Sequence, residues 1–169
     1  MTQRVNLEIA VKQIEFTRAY MLGMLDGLSD ADWFTQPTEG ITHIAWQVGH
    51  LAMAEYGLCM FRIRGRRAED VMLMSGKFRK QFSKGSTPKA NPADNPTPEE
   101  IRQVLDRVHA QAMEELAETN DAALSEPVDE PYAVYPTKLG ALFFCADHEM
   151  LHAGQIGLLR RLIGRAPVR

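Results

Sequence analysis

The sequence predicts an all-α protein, a four-helix bundle that forms a single domain over residues 1–169. Four segments of about 20 to 27 residues carry apolar residues at helical spacing, and each has one apolar stripe. Four such stripes are buried most economically when the helices pack against one another. No segment alternates apolar and polar residues as a strand does, and a hydrophobic content of 45% is enough for one core.

The first helix is predicted over residues 5–28. Its apolar residues recur at intervals of three, four and seven, and the stripe is interrupted only by Arg18. These apolar residues are Leu7, Val11, Ile14, Met21, Leu25 and Leu28. Ser29, Asp30 and Pro37 then indicate a connection to the next helix.

The second helix is predicted over residues 42–63. Thr42 is the expected N-cap, because a threonine hydroxyl can accept a hydrogen bond from a free N–H of the first turn. Gly65 is expected to end the helix, and Arg62 and Arg64 lie favourably near its negative end.

The third helix is predicted from the segment Thr97-Pro98-Glu99-Glu100. Thr97 at the cap, proline in the first turn and a glutamate three positions after the threonine form a capping box. Its buried face is predicted to consist of Ile101, Leu105, Val108, Ala112 and Leu116. The fourth helix is predicted to begin near Thr137, after a Pro-rich stretch, and to end at Gly164.

The connection between the second and third helices is the longest in the chain, and it is unusually rich in basic residues. It runs from Gly65 to Pro96, whereas a crossover along the bundle needs only about ten extended residues. The second and third helices are therefore expected to run parallel, in an up-down-down-up bundle. Residues 62–89 hold nine of the 19 basic residues: Arg62, Arg64, Arg66, Arg67, Lys77, Arg79, Lys80, Lys84 and Lys89. They form either a positive lip that attracts an anionic substrate or a solvated loop, and Phe78 and Phe82 are expected to hold the connection on the bundle.

Composition excludes several classes of protein. A net charge of −3 gives no whole-chain case for nucleic-acid binding, and no segment offers about twenty uncharged apolar residues that could cross a membrane. The N-terminus lacks the apolar segment of a signal peptide, so the expected location is the cytoplasm. Cys59 and Cys145 are expected to be reduced core residues.

The strongest chemical signal is the segment His148-Glu149-Met150-Leu151-His152. Four residues advance an α-helix by about one turn, so both imidazoles project from the same face and can bind one divalent metal. The neighbours predicted on that face are apolar, so the pair should point into the core. They are Ala141, Phe144, Cys145, Leu151, Ile156 and Leu159. The alternative is a pair of core histidines that hydrogen-bond to carbonyl or carboxylate groups.

His50 is the candidate third ligand. It shares a helical stripe with Trp46, Met53, Ala54 and Gly57, and it should also face inward. Three neutral imidazoles from two facing helices would leave a fourth position for water or substrate. That arrangement is typical of a catalytic rather than a structural zinc-type site.

Other candidate ligands fit less well. His43 lies seven residues before His50, about 10 Å along the helix axis, so we interpret it as a helix-end residue or one that supports a ligand. His109 lies in a charged helix and is expected to be partly exposed, without a role. A thiol ligand from Cys145 is disfavoured, because Cys145 lies three residues before His148 and would compete with His152 for direction.

These segments resemble the DinB-like family of metal-dependent bundle proteins, which includes bacterial thiol-dependent S-transferases. The resemblance rests on Trp46-Gln47-Val48-Gly49-His50-Leu51, on His148-Glu149-Met150-Leu151-His152-Ala153-Gly154-Gln155-Ile156 and on Leu159-Arg160-Arg161-Leu162, and it covers essentially the whole chain. It implies an up-down-down-up four-helix bundle, one divalent ion held by His50, His148 and His152, and a homodimer. Zinc or nickel is the expected ion, although imidazole also suits iron and copper.

The resemblance does not imply one reaction, and three hypotheses stay open. Three neutral ligands leave the ion its full charge, so a bound thiol or water should lose its proton near neutral pH. The first hypothesis is S-transfer, in which a metal-bound thiolate of a low-molecular-weight thiol attacks an electrophilic small molecule. The second is metal-assisted hydrolysis, with Glu55 as a candidate general base that points off the metal-facing stripe. The third is a non-catalytic metal- or ligand-binding stress protein. Glu149 and Gln155 are candidates to support the metal ligands.

Overall fold

The computed structural model describes residues 2–129 and 135–168, and every regular element in these residues is helical. In chain order the α-helices are α1 (Gln3–Gly23), α2 (Asp30–Phe34), α3 (Ile44–Glu55), α4 (Arg62–Arg64), α5 (Asp70–Leu73), α6 (Gly76–Phe82), α7 (Pro98–Ala117) and α8 (Lys138–Leu162). A π-helix, Tyr56–Phe61, joins α3 to α4. The all-α prediction is confirmed, and no described helix is long and apolar enough to cross a membrane.

The long helices pack as a bundle, with α1 against α8 and α3 against both α7 and α8. Their apolar stripes form one core, and the largest side chains in it are fully buried. These are Trp33, Phe82, Ile14, Met21, Leu25, Ile44, Met60, Ile101, Leu105, Leu116, Leu124 and Leu142. Each buried side chain of this size contributes about 1.5–3 kcal/mol, so burial of the stripes is the main force that holds the helices together.

Several predicted helix ends are confirmed. Thr97 Oγ1 accepts the N–H of Glu100 at 3.2 Å, and the Glu100 carboxylate accepts the N–H of Thr97 at 2.7 Å, which completes the capping box of α7. Thr137 caps α8, and Gly65 ends α4 with a φ of 80°. These ends depend on short-range hydrogen bonds, which the local sequence determines.

Two predicted helix ends are wrong. α1 stops at Gly23 rather than at residue 28, because the chain tightens into i→i+3 turns and then becomes left-handed at Gly27, with a φ of 71°. α3 begins after His43 rather than after Thr42, because His43 Nδ1 itself accepts the N–H of Trp46 at 3.0 Å. The Nε2–H of the same ring donates to the Lys89 carbonyl at 3.0 Å. His43 is therefore a helix-end residue, as interpreted, and it also ties the crossover to α3.

The crossover between α4 and α7 contains two short helices, α5 and α6, and it is anchored in the core. Phe78 is 6% exposed and Phe82 is fully buried, which confirms that these rings hold the crossover on the bundle. Arg64 pairs with Asp70 at 2.7 Å and with Glu115 at 2.6 Å. Part of the positive charge of the segment is thus neutralised by carboxylates on α5 and α7.

A buried ion-pair cluster joins the four long helices. Arg18 of α1 is 4% exposed, and its guanidinium contacts Glu149 of α8 at 2.6 Å and Glu55 of α3 at 2.7 Å. The other oxygen of Glu55 lies 2.7 Å from Nδ1 of His109 on α7. His109 was expected to have no role; its side chain is 22% exposed and it completes this cluster. Burial raises the pKa of Glu55, but Arg18 and His109 outweigh that effect and hold the pKa below its usual value.

Loss of Arg18 should strongly destabilise the fold. Arg18→Met leaves two buried carboxylates without their cation, so we expect a loss of about 3–5 kcal/mol in the free energy of unfolding. Urea unfolding of the purified variant measures this change. Arg4→Gln is the control, because the Arg4–Asp121 pair is 40% and 43% exposed and should be worth about 1 kcal/mol or less. Equal losses in the two variants would contradict the assigned role of the cluster.

Candidate metal centre

Three of the five histidines meet between α3 and α8. His50 comes from α3, and His148 and His152 come from α8, so that one ligand-type nitrogen of each ring lies within 4.8 Å of the other two. The structure therefore brings together the three residues that the sequence analysis selected. His43 and His109 lie elsewhere, at the start of α3 and beside Glu55.

Hydrogen bonds fix the orientation of two of these rings. His50 Nδ1 lies 2.8 Å from the carbonyl oxygen of Phe82, which can only accept, so Nδ1 carries the proton. His152 Nδ1 is hydrogen-bonded to the amide oxygen of Gln47 and carries its proton for the same reason. In both rings Nε2 is left with a lone pair, which is the form that binds a metal.

The spacing of the nitrogens fits a divalent ion. His152 Nε2 and His148 Nε2 lie 3.2 Å apart. Two nitrogens that bind one tetrahedral zinc at about 2.1 Å lie about 3.4 Å apart, so this pair already has the spacing of ligands. No two of the three ligand nitrogens lie more than 4.8 Å apart, so a shift of at most about 1.4 Å brings any pair to the same spacing.

The rings are held in the neutral state that a metal requires. Burial lowers the pKa of His50 below its usual value. Burial, together with the charge that His50 would carry, lowers the pKa of His148 to about 4. Burial and the charges of His148 and His50 lower the pKa of His152 to about 3. At neutral pH all three imidazoles are therefore uncharged, and each has a nitrogen lone pair available for a metal.

Gly49 allows the crossover to support this site. A Cβ at Gly49 would lie 2.5, 2.6 and 2.7 Å from three atoms of the Phe82 ring, and that ring is fully buried and cannot swing away. Because glycine has no Cβ, α6 can approach α3 closely enough for the Phe82 carbonyl to reach His50. Trp46 stacks on the other side of the His50 ring, with centroids 4.8 Å apart.

Sequence reasoning missed Gln47 and misjudged several neighbours of the histidines. Gln47 lies three residues before His50 on a helix with a buried face. Because a buried amide needs a hydrogen-bond partner, its position near a candidate ligand could have indicated this role. Of the two residues expected to support the ligands, Gln155 is exposed and Glu149 is bound to Arg18. Leu151 is 63% exposed, because its position on α8 turns it away from the histidine face.

Glu55 and the two cysteines are also accounted for. Glu55 is 1% exposed and bound by Arg18 and His109, so it is committed to the ion-pair cluster. Cys59 and Cys145 are free thiols buried in the core, as expected. Among the described residues, the cluster that could hold a metal ion contains histidines alone.

An open cleft with a volume of about 540 Å³ adjoins His50 and His148. Most of its wall is apolar, and its polar side chains besides the histidines are Arg62, Ser83 and Lys84. The apolar wall consists of Trp46, Met53, Ala54, Leu58 and Phe144. None of the residues that the structure shows along this cleft is a carboxylate.

The fold and the histidine cluster define a class of protein, helical bundles that could hold a metal ion between two facing helices. The model of the DinB superfamily matches residues 13–156, and the chain belongs to that superfamily. A solved structure of a conserved protein from Enterococcus faecalis has a similar fold, with a TM-score of 0.64 and 18% identity over 94% of this chain and 97% of the other. No curated protein matches the chain.

Gly49→Ala should weaken metal binding. The new Cβ must displace Phe82 and with it the carbonyl that orients His50, so we expect affinity for Zn²⁺ to fall by about tenfold or more. Competition with a chromophoric chelator measures this affinity. Gly154→Ala on α8 is the matched control, because a Cβ there meets open space and should leave the affinity unchanged. Wild-type affinity in Gly49→Ala would contradict the role of the close approach.

The metal-free protein should lose stability as the pH falls from 6.5 to 5. The folded-state pKa values of His148 and His152 lie below the ordinary 6.5, so in this range the unfolded chain binds more protons than the folded chain and stability decreases with decreasing pH. Urea unfolding at a series of pH values measures the slope. His148→Asn should make the slope shallower, and an unchanged slope would show that these rings do not cause it.

Proposed function

We propose that this protein is a divalent-metal-dependent S-transferase. His50, His148 and His152 would bind one divalent ion, zinc or nickel, and the protein would join a low-molecular-weight thiol to an electrophilic small molecule held in the adjoining cleft. The observation that carries the proposal is the convergence of three neutral imidazoles beside an apolar cleft. A site with only three protein ligands has room for a substrate atom, as catalytic sites do.

The chemistry follows from the ion and from the residues around it. A divalent ion held by three neutral ligands would lower the pKa of a nearby thiol towards neutrality. Phe82 and Gln47 keep two ligand rings in the required orientation, and the apolar wall offers a surface for the apolar part of an electrophile. In the transfer, the thiolate sulfur forms a bond to carbon, the leaving group departs with the electron pair of its own bond, and the thiol proton goes to solvent.

Hydrolysis has less support from the arrangement of carboxylates. Its candidate general base, Glu55, is held by Arg18 and His109, and Glu149 is held by Arg18. The described cleft residues include no carboxylate that could activate water. Because the same ion would also acidify a bound water, the preference for S-transfer rests on the apolar wall of the cleft, which suits an electrophilic small molecule.

We also infer the up-down-down-up topology of the bundle. Where α1 contacts α8, residues later in α1 contact residues later in α8, which supports parallel helices. The same holds where α3 and α4 contact α7. Where α3 contacts α8, residues later in α3 contact residues earlier in α8, which supports antiparallel helices. The contacts between α1 and α8 are Arg18–Glu149 and Met24–Arg160. Those of α3 and α4 with α7 are Glu55–His109 and Arg64–Glu115. Those between α3 and α8 are Gln47–His152 and His50–His148.

Metal content and thiol-dependent turnover test the proposed function. Protein purified without an affinity tag should contain about one divalent ion per chain. It should consume 1-chloro-2,4-dinitrobenzene when a low-molecular-weight thiol is supplied. His148→Ala should lose both properties, because two remaining imidazoles make a poor site. Gln155→Ala on the same helix is the control and should keep both, since Gln155 is exposed and lies outside the histidine cluster.

Each other outcome identifies a different function. Turnover of an ester panel in water alone would favour hydrolysis, and bound metal without turnover of either kind would favour a metal- or ligand-binding protein. A folded sample that takes up no divalent ion would refute the metal centre and with it both enzymatic functions.

A further inference from the structure

We propose that the cleft beside His50 and His148 selects small molecules that combine an apolar body with an anionic group, and that Arg62 binds the anionic group. The inference rests on the proposed function in one respect, since it takes this molecule to be the electrophile. Binding of the molecule itself depends on the cleft and not on the metal.

The cleft has the composition of a site for such a molecule. Its volume of about 540 Å³ lies within the usual range for sites that hold small ligands. Phe144, whose ring centroid lies 5.6 Å from that of His148, and Trp46, which stacks on His50, place aromatic surfaces beside the histidine cluster. Among the described residues along the cleft, the charged side chains other than histidine are both basic, Arg62 and Lys84.

The π-helix determines that residue 62 faces the cleft. In a regular α-helix, the stripe of His50, Ala54 and Gly57 would continue to Phe61, four residues after Gly57. In the π-helical turn the next residue on this stripe comes five residues after Gly57, which is Arg62. The backbone N–H of Arg62 accordingly donates to the carbonyl of Gly57. Arg62 consequently lines the cleft, whereas Phe61 is 49% exposed and lies outside it.

A side-chain hydrogen bond holds the Arg62 guanidinium at this position. Its Nη1 donates to the Gly57 carbonyl at 3.1 Å, and it would lie 3.5 Å from a Cβ at Gly57. The arginine is half-buried, so its charge is less screened than that of an exposed side chain. A guanidinium presents several N–H donors in one plane and suits a carboxylate or sulfonate.

Apart from Arg62 and Lys84, the basic residues of segment 62–89 do not line this cleft. Arg64 is bound by Asp70 and Glu115. Arg66 and Arg79 border a separate small cavity, and Lys77 and Lys89 border another. Of the nine basic residues that could attract an anionic substrate, the structure therefore shows two along this cleft, Arg62 and the exposed Lys84.

Two fluorescent probes that differ in one group test the proposal. The anionic probe is 8-anilinonaphthalene-1-sulfonate, and the neutral probe is N-phenyl-1-naphthylamine, which has the same rings without the sulfonate. Arg62→Gln should weaken binding of the anionic probe by about tenfold, the effect of one charge-assisted hydrogen bond, and should leave binding of the neutral probe unchanged. Arg66→Gln removes the same charge outside the cleft and should change neither affinity.

The proposal is overturned if Arg62→Gln changes both probes equally, changes neither, or if the wild-type protein does not bind the anionic probe. If Arg62→Gln does not fold, as judged by circular dichroism, Arg62→Met, which keeps the apolar stem of the side chain and removes its charge, decides by the same comparison. All titrations are repeated with and without Zn²⁺. If the protein prefers the anionic probe but does not transfer thiols, the anion site is supported and the S-transferase function is refuted. If it transfers thiols without preferring the anionic probe, the function is supported and the anion site is refuted.

Discussion

The buried guanidinium of Arg18 is the contact on which the arrangement of the long helices depends. It binds Glu149 and Glu55 at the same time, and a charge removed from water in this way is tolerated only while both partners are in place. Glu149 lies between the two histidines of α8, and Glu55 lies beyond His50 on α3. By fixing these two carboxylates, Arg18 fixes the relative register of α3 and α8, and hence the direction of the three imidazoles.

The histidine cluster is built by packing from three parts of the chain. α8 supplies two rings, α3 supplies one ring and the amide of Gln47, and the crossover supplies the Phe82 carbonyl. The close approach at Gly49 is what lets the crossover take part. The crossover is thus a structural component of the site, and its residues 83–85 also form one side of the cleft.

The features that the sequence predicts are those with local causes. Helical spacing of apolar residues, the capping box at Thr97 and the i, i+4 spacing of His148 and His152 all arise within a few turns of one helix. His43 as a cap, Gln47 as an acceptor and Arg18 as the centre of a buried cluster depend instead on residues 46 to 131 positions away, or on a competition between neighbouring caps. Periodicity carries no information about such partners.

The π-helix Tyr56–Phe61 is another feature that the periodicity of the sequence does not predict, and it determines which side chain faces the cleft. One additional residue in the turn Tyr56–Phe61 rotates every downstream side chain by about 100° relative to an uninterrupted helix. If the same residues formed an uninterrupted α-helix, Phe61 would take the place of Arg62 at the cleft without any substitution. The geometry of this one turn thereby decides which side chain the cleft presents, while the three clustered histidines, which precede the turn or lie on another helix, are unaffected by it.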